Sequence, residues 1–122
     1  MIRLFYLQGD CNAGPESDKV NFGLWAKELS EAFKPKGLLL SAAVSAGKST
    51  IDMAYDVPVL GQYLDFINVM SYDFRGYWDH KTGHHSPLFH HSNDDNNYMN
   101  TVNFLISYSV EIQYENFATF LQ

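Results

Sequence analysis

The 122 residues are enough for one ordinary domain and too few for two, and a hydrophobic fraction of 46% allows a core and argues against wholesale disorder. A formal net charge of -6 supplies no basic stripe to neutralise phosphates, which weighs against nucleic acid and anionic membrane surfaces as partners. The lone Cys11 cannot form an internal disulfide, and no apolar run approaches the roughly 20 residues that span a bilayer. Residues 1–7 hold a short apolar stretch without a convincing cleavage site, a poor signal peptide, so the chain read literally is cytosolic.

Along the chain, residues 10–17 are polar, with Gly14 and Pro15, and read as a loop in front of a helix that Ser17 or Asp18 could cap. Phe22, Trp25, Leu29, Ala32 and Phe33 recur at helical spacing, with Lys27, Glu28 and Glu31 on other faces. Pro35 disfavours helix at Lys34 and Gly37 completes the stop signal, which predicts a helix over about 18–34. Residues 38–44 are almost free of polar groups, as in a strand buried on both faces of a parallel sheet. Residues 45–50 are small and polar and read as a loop, and Pro58 could open a short helix carrying Val59, Leu60 and Tyr63. Residues 66–72 form a second apolar strand, so the alternation of helix and strand predicts an α/β fold with crossover units. Residues 73–100, dense in His, Asp, Asn, Gly and Tyr, form a long loop of the kind that often carries function. The apolar-aromatic tail over 101–122 has mixed periodicity and fits helix or strand.

Three constellations could carry chemistry. Gly47-Lys48-Ser49 after a strand resembles a relaxed phosphate loop, which would wrap backbone amides around phosphates. Against this, Ala42 replaces the first glycine, the preceding strand leaves little room for a loop, and Asp52 and Asp56 add negative charge. His80, His84, His85, His90 and His91, with Asp79, Asp94 and Asp95 nearby, contain zinc-binding residue types, but their spacings fit no common closed site and favour solvated histidines in a polar loop. Residues 65–76 describe a buried strand with a polar tip, and period-two alternation places Met70 and Tyr72 on one face, with Asp73 following. In barrels of crossover units the active face lies at such C-terminal strand ends. An ordinary strand end with a tyrosine hydroxyl in water fits the pattern equally well.

Asp18-Lys19-Val20-Asn21-Phe22, Tyr55-Asp56-Val57-Pro58, Tyr63-Leu64-Asp65-Phe66-Ile67-Asn68-Val69-Met70-Ser71-Tyr72-Asp73-Phe74, Gly76-Tyr77-Trp78-Asp79 and Thr82-Gly83-His84-His85-Ser86-Pro87-Leu88, with residues 38–46, resemble glycoside hydrolase family 18, the chitinases and chitinase-like lectins. Gln8-Gly9-Asp10-Cys11 resembles a segment that follows the fourth barrel strand in arthropod-type members. The resemblance implies a partial (β/α)8 barrel, about strands five (38–45) and six (66–73) with flanking helices, the helix at 18–34 being the fourth. It implies chitin or chito-oligosaccharide as partner and no cofactor or metal, and a family that is usually secreted. In the complete family a glutamic acid protonates the glycosidic oxygen and the substrate's own N-acetyl oxygen attacks the anomeric carbon, an exception to the paired-carboxylate scheme. By the same resemblance Met70, Tyr72 and Asp73 line the subsite where the sugar distorts, Tyr72 and Asp73 support catalysis, and Trp78 offers a ring for stacking.

The departures shape the functional expectation. The family's Asp-x-x-Asp-x-Asp-x-Glu motif belongs just before or over residues 1–6, yet no Asp or Glu precedes Asp10. Residues 1–122 therefore read as one truncated family domain, clear over 18–88, with divergent ends at 1–7 and 105–122 and without barrel strands one to four, seven and eight. The expected product binds chitin without hydrolysing it; a chitinase-like lectin and a phosphate-loop nucleotide binder are the alternatives.

Overall fold

The computed structural model describes residues 2–5, 15–92, 94, 96–105 and 117–120. The elements are β1 (Ile2–Phe5), α1 (Ser17–Phe33), a 3-10 turn (Lys34–Lys36), β2 (Leu40–Ser45), α2 (Lys48–Ala54), α3 (Val57–Tyr63), β3 (Phe66–Met70), a helical segment at 101–105 and β4 (Phe117–Phe120). The strands form one parallel sheet in the order β1-β2-β3-β4. This is an arc of a (β/α)8 barrel, whose closed form takes eight strands.

Two barrel strands that were expected to be missing are present, one at the start of the chain and one in the tail that fitted helix or strand. β1 pairs Ile2 with Leu40 and Phe5 with Ala43, and β4 pairs Ile67 with Phe117 and Met70 with Phe120. In barrel order they occupy the places beside strands five and six, so the sheet extends into both divergent ends. Backbone pairing in a ladder depends little on which side chains it carries, so a strand can persist where the motif resemblance fades. The segment Gln8 to Cys11 lies outside the described residues, as do Asp95 and most of the apolar tail.

The inward face of α1 differs from the predicted stripe. Phe22, Gly23, Ala26 and Ser30 are buried, whereas Trp25 and Ala32 face outward. Small side chains win these positions because they let the helix approach its neighbours. A methyl group added at Gly23 would lie 3.0 Å from Val59 on α3. Ser17 is the first helical residue rather than the cap, and Pro15 O accepts the Asp18 N–H at 2.9 Å. The predicted stop holds: Gly37 has φ 65°, its N–H reaches Lys34 O (3.1 Å), and Leu38 N–H reaches Phe33 O (3.3 Å). That turn delays the strand to Leu40.

β2 and β3 alternate between two environments. Leu40, Ala42, Val44, Ile67 and Val69 pack with Phe22, Ala26, Ile51, Leu60 and Leu64 into the core between sheet and helices. The opposite face carries Ser41, Ala43, Ser45, Phe66, Asn68 and Met70, of which Ala43, Ser45, Phe66 and Met70 are only partly covered. Among the described residues, Ser41 Oγ and Asn68 Oδ1 are buried there without a hydrogen-bond partner. The strand starts are tied together by Asp65: its Oδ2 accepts the Leu40 N–H at 2.7 Å, and its own N–H donates to Leu40 O at 2.9 Å. Replacement of Asp65 by Ala leaves the partly buried Leu40 N–H without this charged acceptor. The expected loss is about 1–3 kcal/mol of folding free energy, measured by urea denaturation, against less than about 0.5 kcal/mol for Lys27→Ala on the exposed face of α1.

Candidate functional site

The parallel register sets Ser45 beside Met70, so β2 and β3 end level with each other. Beyond those ends opens a cleft of about 700 Å³, lined by the 45–50 turn, Asp52, Met70, Tyr72, Asp73, Phe74, Trp78, Asn96, Tyr98 and Met99. All four residues singled out from sequence, Met70, Tyr72, Asp73 and Trp78, therefore meet in one concavity. Met70 ends its strand half-buried, Tyr72 is partly exposed beyond it, and Asp73 is exposed.

The chain turns sharply after β3. Ser71 N–H bonds to Val69 O (3.0 Å), which closes the strand, and Asp73 takes φ 59°, a left-handed conformation that aspartate tolerates better than most residues. Segment 85–86 pins this turn. Phe74 N–H donates to His85 O (3.1 Å) and Ser86 Oγ donates to Ser71 O. The His85 ring stacks on Tyr72, with centroids 6.4 Å apart and planes 18° from parallel, and its Nδ1 lies 3.5 Å from Asp73 Oδ1. His85 thus touches both candidate residues. Its twelve-residue separation from Asp73 left no periodic signal by which sequence could select it from the other histidines.

Trp78 sits on a second built turn. Asp79 Oδ2 accepts the Gly76 N–H at 2.8 Å, its Oδ1 accepts from Arg75 Nη1 at 3.1 Å, and Asp79 N–H returns to Gly76 O at 3.0 Å. The indole lies so close over Gly76 that an added Cβ would stand 2.4 Å from it, so only glycine admits this ring placement. The ring is 54% exposed, with Tyr77 edge-on at 5.2 Å. The Gly76 N–H holds the Asp79 carboxyl below the ordinary carboxylate range; partial burial opposes this, and the Arg75 guanidinium and a charged His80 reinforce it.

The remaining constellations come out differently. The expected loop at 45–50 contains a helix start: only Ala46 and Gly47 separate β2 from α2, and Lys48 Nζ pairs with Asp52 Oδ2 at 2.8 Å, one turn along. Two residues are too few to wrap phosphates, and the lysine already carries a carboxylate, so the turn is a cleft wall rather than a phosphate cradle. His84 and His91 rings lie 5.6 Å apart, but among the described residues no group of three or more His, Cys, Asp or Glu is arranged to hold a metal. Asn96, Tyr98 and Met99 reach the cleft from the end of the long loop, a placement no local pattern announced.

Against known proteins, the sequence pattern of "Glycosyl hydrolases family 18" matches residues 3–117. Probable chitinase 10 of Drosophila melanogaster is 53% identical over 104 residues, 85% of this chain and 4% of that protein. The oviduct-specific glycoprotein of Sus scrofa is 45% identical over 110 residues, 84% of this chain and 21% of its own length. Catalytic domain 2 of the Ostrinia furnacalis Group II chitinase, in complex with penta-N-acetylchitooctaose, superposes with a TM-score of 0.91 at 41% identity, covering 96% of this chain and 32% of that one. Human YKL-39, described as a pseudo-chitinase with retained chitooligosaccharide binding properties, gives 0.73 at 36% identity, over 79% of this chain and 29% of its own. The chain thus spans a third or less of the relatives and structures it matches here.

The Asp79 clamp gives the Trp78 turn a defined pH response. Because the folded carboxyl releases its proton more readily than the unfolded one, the clamp's contribution is complete above the ordinary value of about 3.9 and fades as pH falls through the lowered folded value. Carboxyl ¹³C NMR is expected to show Asp79 titrating below the ordinary aspartate value of about 3.9, with Trp78 indole shifts following the same curve. A Trp78 signal indifferent to Asp79 titration would show that the turn is held some other way.

Proposed function

The chain belongs to glycosyl hydrolase family 18, and we propose that its 122 residues form part of a chito-oligosaccharide cleft that holds sugar without supplying the general acid. The observation that carries this reading is the convergence of Met70, Tyr72, Asp73 and Trp78 on one cleft at the C-terminal ends of β2 and β3. The similarity to a chitinase domain solved with a chito-oligosaccharide, and to a pseudo-chitinase that retains chitooligosaccharide binding, supports it.

Each residue has a role its chemistry suits. The Trp78 indole, half-exposed and fixed over Gly76, offers an apolar face to the C–H side of a pyranose ring. The Tyr72 hydroxyl donates to an N-acetyl carbonyl, and the Asp73 carboxylate accepts from a sugar hydroxyl or amide. Met70 closes the floor. His85 acts through Tyr72 and Asp73 and is a positioning residue. The Asp-x-x-Asp-x-Asp-x-Glu motif does not occur in these 122 residues. Asp73 is exposed and sits in the supporting place.

Two outcomes are expected. The 122-residue chain does not release fluorophore from a fluorogenic chitobioside above a protein-free control, since loss of a general acid alone slows such chemistry about 10²–10⁴-fold. Turnover that disappears in Asp73→Ala would overturn this. N-acetylated chito-oligosaccharides are expected to bind with a Kd on the order of millimolar, near -4 kcal/mol, because Tyr72, Asp73 and Trp78 contribute one stacked ring and two hydrogen bonds of about 0.5–1.5 kcal/mol each. NMR titration measures it. Trp78→Ala and Tyr72→Phe weaken the binding, and saturable shifts that persist unchanged in both would place the site elsewhere.

A further inference from the structure

We infer that Tyr98 forms a second aromatic platform of the same cleft, taking a further N-acetylglucosamine ring of the chain whose first ring stacks on Trp78; the inference rests on the cleft reading above. Its own surroundings mark Tyr98 out. The residues that follow it are drawn into the protein: Met99 packs against the core, and Asn100 and Thr101 are fully buried. Tyr98 is 52% exposed and lines the cleft. Left exposed just ahead of the buried Asn100 and Thr101, its ring presents apolar surface to water at a concave site, which is where such surface serves ligand contact.

The segment holding it is built rather than loose. Asn96 Oδ1 accepts the Tyr98 N–H at 2.9 Å. Asn97 O accepts from the side-chain amides of both Asn100 and Asn103. Thr101 bonds Pro87 O through its N–H (3.0 Å) and its hydroxyl (3.2 Å), and Val102 N–H reaches Leu88 O (3.0 Å). A platform for a sugar ring needs this kind of fixing, because a mobile side chain loses in ordering what it gains in contact.

Tyr98 and Trp78 also reach the cleft from different segments with different neighbours. Tyr98 borders a small recess with Ala46, Lys48 and Ile51, on the side where β2 runs into α2, and Trp78 has no part in it. Trp78 stands instead on the turn that follows β3. A cleft of about 700 Å³ is larger than one sugar ring fills. Two platforms at different stations suit successive rings of one oligosaccharide, and the Lys48–Asp52 pair at the Tyr98 end offers polar groups to the hydroxyls at the ring's edge.

The test is NMR titration of the 122-residue chain with N,N′-diacetylchitobiose and with the N-acetylated pentamer. In the starting chain the pentamer binds more tightly. Tyr98→Ala is expected to lower the ratio of the dimer Kd to the pentamer Kd by about tenfold, the scale of one lost aromatic contact. Phe89→Ala, an exposed ring outside the cleft, leaves that ratio as it was. Should Tyr98→Ala disturb resonances of the buried Phe104, Tyr98→Leu keeps apolar bulk without a ring face and is expected to show the same loss. Intermolecular NOEs from the Tyr98 ring to pyranose C–H protons give an independent readout. An unchanged ratio in Tyr98→Ala and Tyr98→Leu, with Trp78→Ala still weakening both sugars, overturns the second platform and leaves the cleft reading standing. No sugar binding, or binding indifferent to Trp78→Ala and Tyr72→Phe, overturns the cleft reading and the platform with it.

Discussion

The register of β2 against β3 is the constraint on which the site depends. Ser41 lies beside Phe66 and Ser45 beside Met70, so both strands finish at one level. A slip of one residue would move Leu40, Ala42 and Val44 off the helix-facing core and put serines there. The tie between Asp65 and Leu40 sets the register from the other end, where a carboxylate and a carbonyl take up both N–H groups. From these level ends the turn into α2 and the turn after β3 diverge, and the cleft is the space between them.

What stands around the cleft is held by short-range polar bonds rather than by bulk packing. Asp79 uses both oxygens to close the Trp78 turn, and segment 85–86 does the same for Tyr72 and Asp73. Such loops are not held by burial alone, since Tyr72, Asp73 and Trp78 are open to solvent. The left-handed Asp73 fits this picture: a less common backbone conformation persists where bonds on either side leave the chain no alternative.

The sheet has one finished face and one open face. Between sheet and helices the core is apolar and fully buried, whereas the opposite face carries buried Ser41 and Asn68 beside Ala43, Ser45, Phe66 and Met70, which are only partly covered. Small residues suit the crowded axis of a barrel, where side chains from several strands share little space. Polar atoms such as Ser41 Oγ and Asn68 Oδ1 belong where partners from other strands can reach them. Within the described residues β1 and β4 each pair on one side only, so the arc presents backbone donors and acceptors along both edges.

The sequence by itself determined whatever depends on local repetition or on a contiguous motif. Phe22 to Phe33 at helical spacing, closed by Pro35 and Gly37, marked α1; the unbroken apolar runs marked β2 and β3; and the residues around Tyr72 and Trp78 pointed to one family and one cleft before any geometry was known. Tertiary structure decided the rest. Trp25 turned outward because Gly23 and Ala26 admit closer packing than a large ring does, a choice periodicity cannot make. β1 and β4 joined the sheet through backbone pairing, which side-chain motifs do not encode. His85 reached Tyr72 and Asp73, and Tyr98 reached the cleft, from segments twelve or more residues past Asp73, by loop hydrogen bonds between groups far apart in sequence, and no one-dimensional pattern records which such groups will meet.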